Sequence, residues 1–241
     1  MVSALLLDFG GTLDGSLHWL DRFLGQYRAA GIEITRDELD GAFAHATQAG
    51  YRAGRVIRRF GMVDLIRFLV GNQVEFLAHE GPQRLRARLG SSAAKGRHRT
   101  VERIAEGFIG ATREGLDANR EILKALKQRF RIGVVSNFYG NLDRILKEAG
   151  MTKMIDSITD SSQVSIFKPQ PGIFEAALRG LGVPPAAAAM VGDSLEKDCA
   201  PAHRLGLTTV WYHAGGSGDG RDCASADYTI TSLGELESIR W

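Results

Sequence analysis

The sequence predicts an α/β protein, a doubly wound parallel sheet with a block of helices inserted after its first strand. Short apolar runs end abruptly in polar turns, and helical patterns separate the later runs from one another. The long stretch after the first run shows helical periodicity and no convincing strand. Strands that alternate with helices form parallel sheets, which bind ligands at the carboxyl ends of their strands. The fold therefore also predicts where a functional site lies.

Five short runs are the predicted strands of this sheet. Three of them are apolar without alternation, which is typical of parallel strands that are buried on both faces. These three are Ala4–Leu7, Ile132–Val135 and Ala188–Val191. The fourth and fifth candidates are Thr208–Tyr212 and Tyr228–Ile230.

Helical patterns lie between the later strands. The residues from Ala118 to Phe130 place their apolar side chains on one stripe, as an amphipathic helix does. Leu142–Ala149 and Gly172–Leu181 follow the same pattern, and Pro171 stands at a favourable first-turn position for the second of them.

Residues 15–112 are predicted to form an all-helical cap domain, and residues 1–14 and 113–241 the α/β core. Within the cap, Gly90–Gly96 is the segment most typical of a loop. Residues 51–100 hold eleven Lys and Arg against three acids, a net charge of +8. Two interpretations remain open, a lid that attracts an anionic substrate and an ordinary solvated helical surface.

The composition excludes several other classes of protein. Thirty Lys and Arg against 28 Asp and Glu give +2, so neither a nucleic-acid nor a membrane partner is expected. No apolar run approaches the ~20 residues that span a bilayer. The first residues lack the basic lead of a signal peptide. The two cysteines, Cys199 and Cys223, are read as reduced thiols, so we expect a cytoplasmic protein.

Polar clusters at the strand ends carry the predicted chemistry. Asp8 follows the first strand, and Asp193 and Asp198 follow the third. Three converging carboxylates repel one another unless a cation lies among them, and hard oxygen ligands suit Mg²⁺. Ser136 and Lys168 add a neutral donor and a positive charge for phosphate oxygens. Together these groups predict phosphoryl transfer from a small phosphorylated substrate.

The same clusters resemble the four motifs of the haloacid dehalogenase superfamily, in the order and at the spacing of that family. In this sequence the motifs are Asp8–Leu13, Ser136–Asn137, Lys168–Pro169, and Gly192–Ser194 with Asp198. Each motif is weak by itself, but the four in order form a strong joint signal. The resemblance implies a Rossmann-like core with a cap between the first and second motifs, and a phosphatase-like hydrolase.

The resemblance also implies a role for each matching residue. Asp8 would attack phosphorus and form an aspartyl phosphate. Thr12 and Ser136 would hold the nucleophile turn and the phosphate, and Asn137 would help to bind the substrate. Lys168 would bind the substrate too and offset the negative charge that it shares with Asp8.

The metal ligands implied by the resemblance are Asp8, Gly10, Asp193 and Asp198, with Mg²⁺ as the cofactor. Gly10 would contribute its backbone carbonyl. Asp193 would bind the metal directly, and Asp198 would act from outside the inner ligands or through water.

Gly10 is the departure from the family pattern, because phosphatases of the family usually carry a second aspartate there as acid and base. Three interpretations follow. The protein is a slow phosphatase, or one whose substrate has an easily expelled leaving group. Another group, such as Asp14 or His18, replaces the missing acid. Alternatively, catalysis is lost and the site binds a phosphorylated ligand.

Two other branches of the superfamily also lack this aspartate. Haloacid dehalogenases proper work without metal, and the pair Asp193 and Asp198 argues against that branch. Phosphonoacetaldehyde hydrolases use a cap lysine, and Lys95, the single lysine between residues 15 and 112, lies too late in the chain to match it.

Overall fold

The computed structural model describes residues 1–90, 94–214 and 226–241. The chain divides into two compact units. One, here called the sheet unit, comprises Met1–His18 and Arg113–Trp241. The other, here called the helical unit, comprises Trp19–Thr112. Cys223 lies outside the described residues.

The sheet has six strands in the order β3-β2-β1-β4-β5-β6, and every pair of neighbours is parallel. This is the strand order of a doubly wound sheet, with the change of winding direction beside β1. The α/β fold class is therefore confirmed. The strands are β1 (Ala4–Leu7), β2 (Arg131–Ser136), β3 (Ser157–Asp160), β4 (Ala188–Gly192), β5 (Thr208–Tyr212) and β6 (Tyr228–Ile230).

Sequence reasoning missed the edge strand β3, whose alternating polar residues give little apolar signal. The helices are α1 (Trp19–Ala29), α2 (Arg36–Ala53), α3 (Met62–His79), α4 (Gln83–Leu85), α5 (Ala94–Leu126), α6 (Leu142–Glu148), α7 (Ser161–Val164), α8 (Pro171–Leu181) and α9 (Ala200–Arg204). The boundary between the two units falls within α5.

Packing of α8 against the sheet forms much of the core on one face. Phe174 and Leu178 of α8 belong to a buried cluster with Leu6 of β1 and Met190 of β4. Gly133 of β2 allows the close approach of α8, because a side chain there would meet both the strand and the helix. Each of these apolar side chains contributes about 1.5–3 kcal/mol by its burial.

The helical unit has an aromatic core of its own. Phe23 of α1 stacks on Phe108 of α5 with ring centroids 4.1 Å apart, and Trp19 meets Phe108 edge-on at 5.2 Å. Such ring pairs add about 0.5–1.5 kcal/mol beyond burial. Thr35 and Glu38 form a capping box at the start of α2, which satisfies two backbone donors.

Among the residues that the structure describes between 19 and 112, no strand occurs, in line with the helical periodicity of this stretch. The prediction of a loop over Gly90–Gly96 is wrong at Gly90, which ends a helical turn over Arg86–Gly90, and over Ala94–Gly96, where α5 begins. Residues 91–93 of that prediction lie outside the described residues. In the described part of the chain, no helix is both long and apolar enough to cross a membrane.

Candidate active site

The nucleophile predicted from the sequence, Asp8, lies directly after β1 and donates its backbone N–H to the carbonyl of Val191 at 2.9 Å. A helical turn over Phe9–Leu13 follows. Gly11 within it has φ +85°, a conformation that favours glycine, and a Cβ there would overlap the carboxylate of Asp193. The turn therefore brings Asp8 and Asp193 to one edge of the sheet.

Asp14 stabilises this turn at its C-terminal end. Its Oδ1 accepts the backbone N–H of Gly11 at 2.8 Å, and its own backbone N–H donates to the carbonyl of Phe9 at 3.0 Å. The Asp14 side chain is completely buried. The carboxylate thus stabilises the conformation in which Asp8 is presented.

Lys168 joins two of the predicted carboxylates. Its Nζ donates to Oδ1 of Asp8 and to Oδ1 of Asp198, each at 2.6 Å. All three residues are buried, with 6%, 6% and 1% of their surface exposed for Lys168, Asp8 and Asp198. Charges that are this deeply buried are tolerated only when they are paired, so the ion pairs hold the site together.

The protonation of Lys168 follows from these contacts. Burial alone would lower the pKa of its ammonium group, but the charges of Asp198 and Asp8 outweigh burial and raise the pKa above its ordinary value. Lys168 therefore stays positively charged at neutral pH and can neutralise an anion beside Asp8.

Asn137 positions Lys168 through the main chain. The Asn137 side chain accepts the backbone N–H of Lys168 at 2.7 Å and donates to its carbonyl at 3.0 Å. Sequence reasoning assigned Asn137 to substrate binding, whereas the contact in the structure is this double hydrogen bond. Ser136, buried at the carboxyl end of β2, lies one residue before it.

Asp160, at the carboxyl end of β3, holds the loop that follows Ser136 and was missed by sequence reasoning. Its two carboxylate oxygens accept the backbone N–H groups of Gly140, Leu142 and Ser162 at 2.8–3.2 Å. Burial raises the pKa of the Asp160 carboxyl, although the three donors oppose the rise. The sequence signal that could have identified Asp160 is an aspartate at the end of a short strand.

The three acidic residues form a cluster that can hold a metal ion. Asp8, Asp193 and Asp198 each offer a carboxylate oxygen, and these oxygens lie within 4.8 Å of one another. Burial, followed by the charges of Asp8 and Asp198, raises the pKa of Asp193. Burial and the charge of Asp8 likewise raise the pKa of Asp198, although Lys168 opposes the rise. Hard oxygen donors whose ionisation is this unfavourable fit a divalent cation such as Mg²⁺.

The two aspartates after β4 have different surroundings. Both oxygens of Asp198 are engaged, one by Lys168 and the other by the backbone N–H of Ser194 at 3.1 Å. Asp193 is only partly buried, and its main-chain carbonyl accepts the indole N–H of Trp211 at 3.0 Å. Both carboxylate oxygens of Asp198 therefore already accept hydrogen bonds within the protein, whereas the hydrogen bond from Trp211 is made to the main chain of Asp193.

The remaining two predicted residues lie in the nucleophile turn. Thr12 is fully buried, and its hydroxyl has no hydrogen-bond partner among the residues that the structure describes. Gly10 is partly exposed and has φ −77° and ψ 115°. Its backbone is therefore in an extended conformation that other residues also adopt.

With this geometry in view, the comparisons with known proteins agree with the sequence motifs. The family model of the haloacid dehalogenase-like hydrolases matches residues 2–206. The chain belongs to this family.

Individual relatives are more distant. The pyrimidine 5′-nucleotidase YjjG of Escherichia coli is 30% identical over 142 residues, which cover 57% of the chain and 63% of that protein. The phosphoserine phosphatase of Thermus thermophilus is 30% identical over 164 residues, which cover 66% of each. The matches thus span less than two thirds of the length of these curated relatives.

A likeness to solved structures extends over the whole fold. A dehalogenase crystal structure with an intermediate complex has a TM-score of 0.64 and 20% sequence identity, and the match covers 98% of the chain and 96% of that protein. This similarity supports a shared fold of core and helical insertion.

Proposed function

We propose that this protein is a Mg²⁺-dependent phosphatase that hydrolyses a small phosphorylated metabolite through an aspartyl phosphate on Asp8. The observation that carries the proposal is the buried Lys168 ammonium, 2.6 Å from Oδ1 of both Asp8 and Asp198, beside the carboxylate of Asp193. A nucleophile, a fixed positive charge and a set of metal ligands are the parts that phosphoryl transfer needs. The printed activities of the two curated relatives, a nucleotidase and a phosphatase, support the same reaction class.

In the first step, a carboxylate oxygen of Asp8 attacks phosphorus and the bond to the leaving oxygen breaks. Lys168 stays charged and offsets the negative charge of Asp8 and of the phosphoryl group. Ser136, one residue before the loop that Asp160 holds, would donate its hydroxyl to a phosphoryl oxygen. In the second step, water attacks the aspartyl phosphate, and Asp8 is released with inorganic phosphate.

Asp8, Asp193 and the backbone carbonyl of Gly10 are the proposed direct ligands of Mg²⁺. Because both oxygens of Asp198 already accept hydrogen bonds, Asp198 acts by orienting Lys168 and through water. The ion would neutralise charge on the phosphoryl oxygens and keep Asp8 and Asp193 ionised. The protein itself contributes by holding the carboxylates of Asp8, Asp193 and Asp198 close enough together to bind the ion.

Gly10 sets the expected speed of the reaction. General acid–base catalysis typically contributes about 10²–10⁴-fold, and glycine has no side chain to provide it. Unless another side chain supplies it, turnover is slow for substrates with poor leaving groups, and the aspartyl phosphate persists longer than in a phosphatase with two aspartates. Anhydrides and acyl phosphates, whose leaving groups depart without a proton, are affected least.

The helical unit is proposed to act as the cap that selects the substrate. The excess of basic residues in 51–100 would favour an anionic substrate, although Arg67 and Arg84 already pair with Glu102 and Glu38. We propose the cytoplasm as the site of the reaction, because the chain has only two cysteines, which we read as reduced thiols.

A second candidate function is favoured by the same glycine. A protein that keeps the charged cluster but lacks the acid and base can bind a phosphorylated ligand without turning it over. In this alternative, Lys168 and the metal ligands are retained for affinity alone. A measurement of product formation distinguishes this binding protein from an enzyme.

The test is hydrolysis of p-nitrophenyl phosphate and of acetyl phosphate with Mg²⁺, combined with intact-mass analysis of the protein. We expect slow turnover and one added phosphoryl group on the wild type, both abolished by Asp8→Asn. Asp143→Asn, which changes an exposed aspartate of the sheet unit, is the matched control and should retain both.

Turnover that survives in Asp8→Asn would rule out the aspartyl phosphate. Release of phosphate only after Gly10→Asp, with none from the wild type, would favour the binding protein. Because Gly10 has an extended backbone conformation, the added aspartate tests chemistry without straining the turn.

A further inference from the structure

The segment Phe9–His18, which follows the nucleophile, holds two side chains able to transfer protons, Asp14 and His18. Gly10, the usual place of the acid and base in this family, has none. A replacement must reach the leaving oxygen and must exchange protons with water. These two requirements distinguish Asp14 from His18.

Asp14 fails both requirements. Its side chain is completely buried, and its Oδ1 is engaged by the backbone N–H of Gly11 at 2.8 Å. Protonation of Asp14 would weaken the hydrogen bond that closes the nucleophile turn, because a neutral carboxyl is a poorer acceptor than a carboxylate. Asp14 is therefore a structural residue of the turn.

His18 is the accessible residue of the two. Its side chain is exposed, so its imidazole can exchange protons with water. Its backbone lies against the turn, since a Cβ on Gly11 would be 3.2 Å from the Cα of His18. The same Cβ would overlap Oδ2 of Asp193. The main chain of His18 and the carboxylate of Asp193 thus both lie beside Gly11, the residue that follows Gly10.

We propose that His18 supplies the proton transfer that Gly10 cannot, an inference that rests on the phosphatase reaction proposed above. As Asp8 attacks phosphorus and the bond to the leaving oxygen breaks, that oxygen takes a proton from the His18 imidazolium. The neutral imidazole then takes a proton from water while the water oxygen attacks phosphorus and the bond to Asp8 breaks. Orthophosphate, the Asp8 carboxylate and the imidazolium result, so the cycle closes.

This assignment extends the substrate class beyond labile phosphates to alkyl phosphate monoesters. An alkoxide leaves only with a proton, whereas an acyl phosphate releases a stable carboxylate. His18 should therefore matter in the first step for alkyl phosphates and hardly for acyl phosphates. Its part in the second step is common to both classes and does not enter kcat/KM, which covers the reaction only as far as the aspartyl phosphate. A role in folding or in binding the phosphoryl group would affect both classes equally.

The experiment compares kcat/KM for glycerol phosphate and for acetyl phosphate in the wild type and in His18→Ala, with Mg²⁺. We expect His18→Ala to lower the glycerol phosphate value about 100-fold, within the range of general acid–base catalysis, and the acetyl phosphate value less than about 3-fold. His79→Ala, an exposed histidine of α3 in the helical unit, is the matched control and should leave both unchanged.

The decisive arm repeats the substitution in Gly10→Asp, where a carboxylate takes over the proton transfer. There His18→Ala should change the glycerol phosphate value less than about 3-fold, because two residues that do one task are not additive. Equal losses for both substrates, or the same loss in both backgrounds, would overturn the role of His18. So would a wild type that hydrolyses acetyl phosphate alone.

The proposed function and the role of His18 can fail separately. The phosphoryl adduct that acetyl phosphate leaves on Asp8 tests the proposed function and needs no proton transfer by His18. If this adduct forms while His18→Ala affects the kcat/KM of neither substrate, only the present inference is wrong.

Discussion

The two units of this protein use charged residues in opposite ways. In the sheet unit, the side chains of Lys168 and Asp198 are 4% and 1% exposed and form an ion pair at 2.6 Å. In the helical unit, Arg84 and Glu38 pair at the same distance, but their side chains are 47% and 23% exposed. The two ion pairs thus have the same N–O distance but differ in how far their side chains are exposed to water.

Burial makes the difference between these pairs. Water screens an exposed ion pair, so it contributes little, whereas a buried charge that loses its partner has nothing to replace it. Buried charges are kept where they perform chemistry, and this cluster lies at the carboxyl ends of β1 and β4. The comparison teaches that the environment of an ion pair, more than its geometry, indicates function.

The largest effect is expected from removing the buried positive charge. Lys168→Met leaves Asp8 and Asp198 without their partner and should lower the free energy of unfolding by about 3–5 kcal/mol. Lys127→Met removes a partly exposed lysine paired with Asp156 and should lower the free energy of unfolding by less than about 1 kcal/mol. Urea denaturation without divalent cations measures both, and similar losses would remove the distinction between buried and exposed pairs.

A smaller effect of opposite sign is expected from removing one negative charge of the cluster. Asp193→Asn relieves repulsion from Asp8 and Asp198, so without metal its Tm should rise by a few degrees, about 2–4 °C per kcal/mol. Mg²⁺ at 100 times its Kd should stabilise the wild type by about 2.7 kcal/mol, and the variant much less. Glu196→Gln, an exposed acid of the same turn, is the control and should keep the full Mg²⁺ response. An undiminished response in Asp193→Asn would place the ion elsewhere.

The smallest effect concerns the exposed pair of the helical unit. The hydrogen bond from Arg84 and the backbone N–H of Thr35 lower the pKa of Glu38 to about 2. Because the folded-state pKa is lowered, Glu38 stabilises the fold above its ordinary pKa of 4.5 and loses this contribution as the pH falls towards 2. Arg84→Gln should move the pKa of Glu38 back towards 4.5, as measured by NMR titration. An unchanged pKa would assign the shift to the capping box alone.

The sequence predicts the site well where a side chain is placed by the end of a strand. Asp8 and Asp193 each follow a buried apolar run, and parallel strands bring such ends to one edge of the sheet. The sequence did not predict the contact of Lys168 with Asp198. This contact depends on the path of the loop before α8, which the Lys168-Pro169 pair alone does not predict.

The supporting hydrogen bonds were equally hidden. Asn137 holds Lys168 by its main chain, and Asp160 binds three backbone N–H groups, so neither requires a particular residue type in its partner. The strand that carries Asp160 also escaped prediction, because a short edge strand with alternating polar residues lacks the apolar run that identified the others. Contacts that involve the main chain leave little trace in a sequence.

The two glycines after the nucleophile differ in what they would tolerate. Gly11, with φ +85° and the Asp193 carboxylate at the place of its Cβ, has no ready substitute. Gly10, with φ −77° and ψ 115°, has a backbone conformation that other residues also adopt. Because some glycine codons become aspartate codons by a single base change, a point mutation can lead from such a site to one with two aspartates. The missing carboxylate is thus an evolutionarily reversible feature of a backbone that is already suited to it.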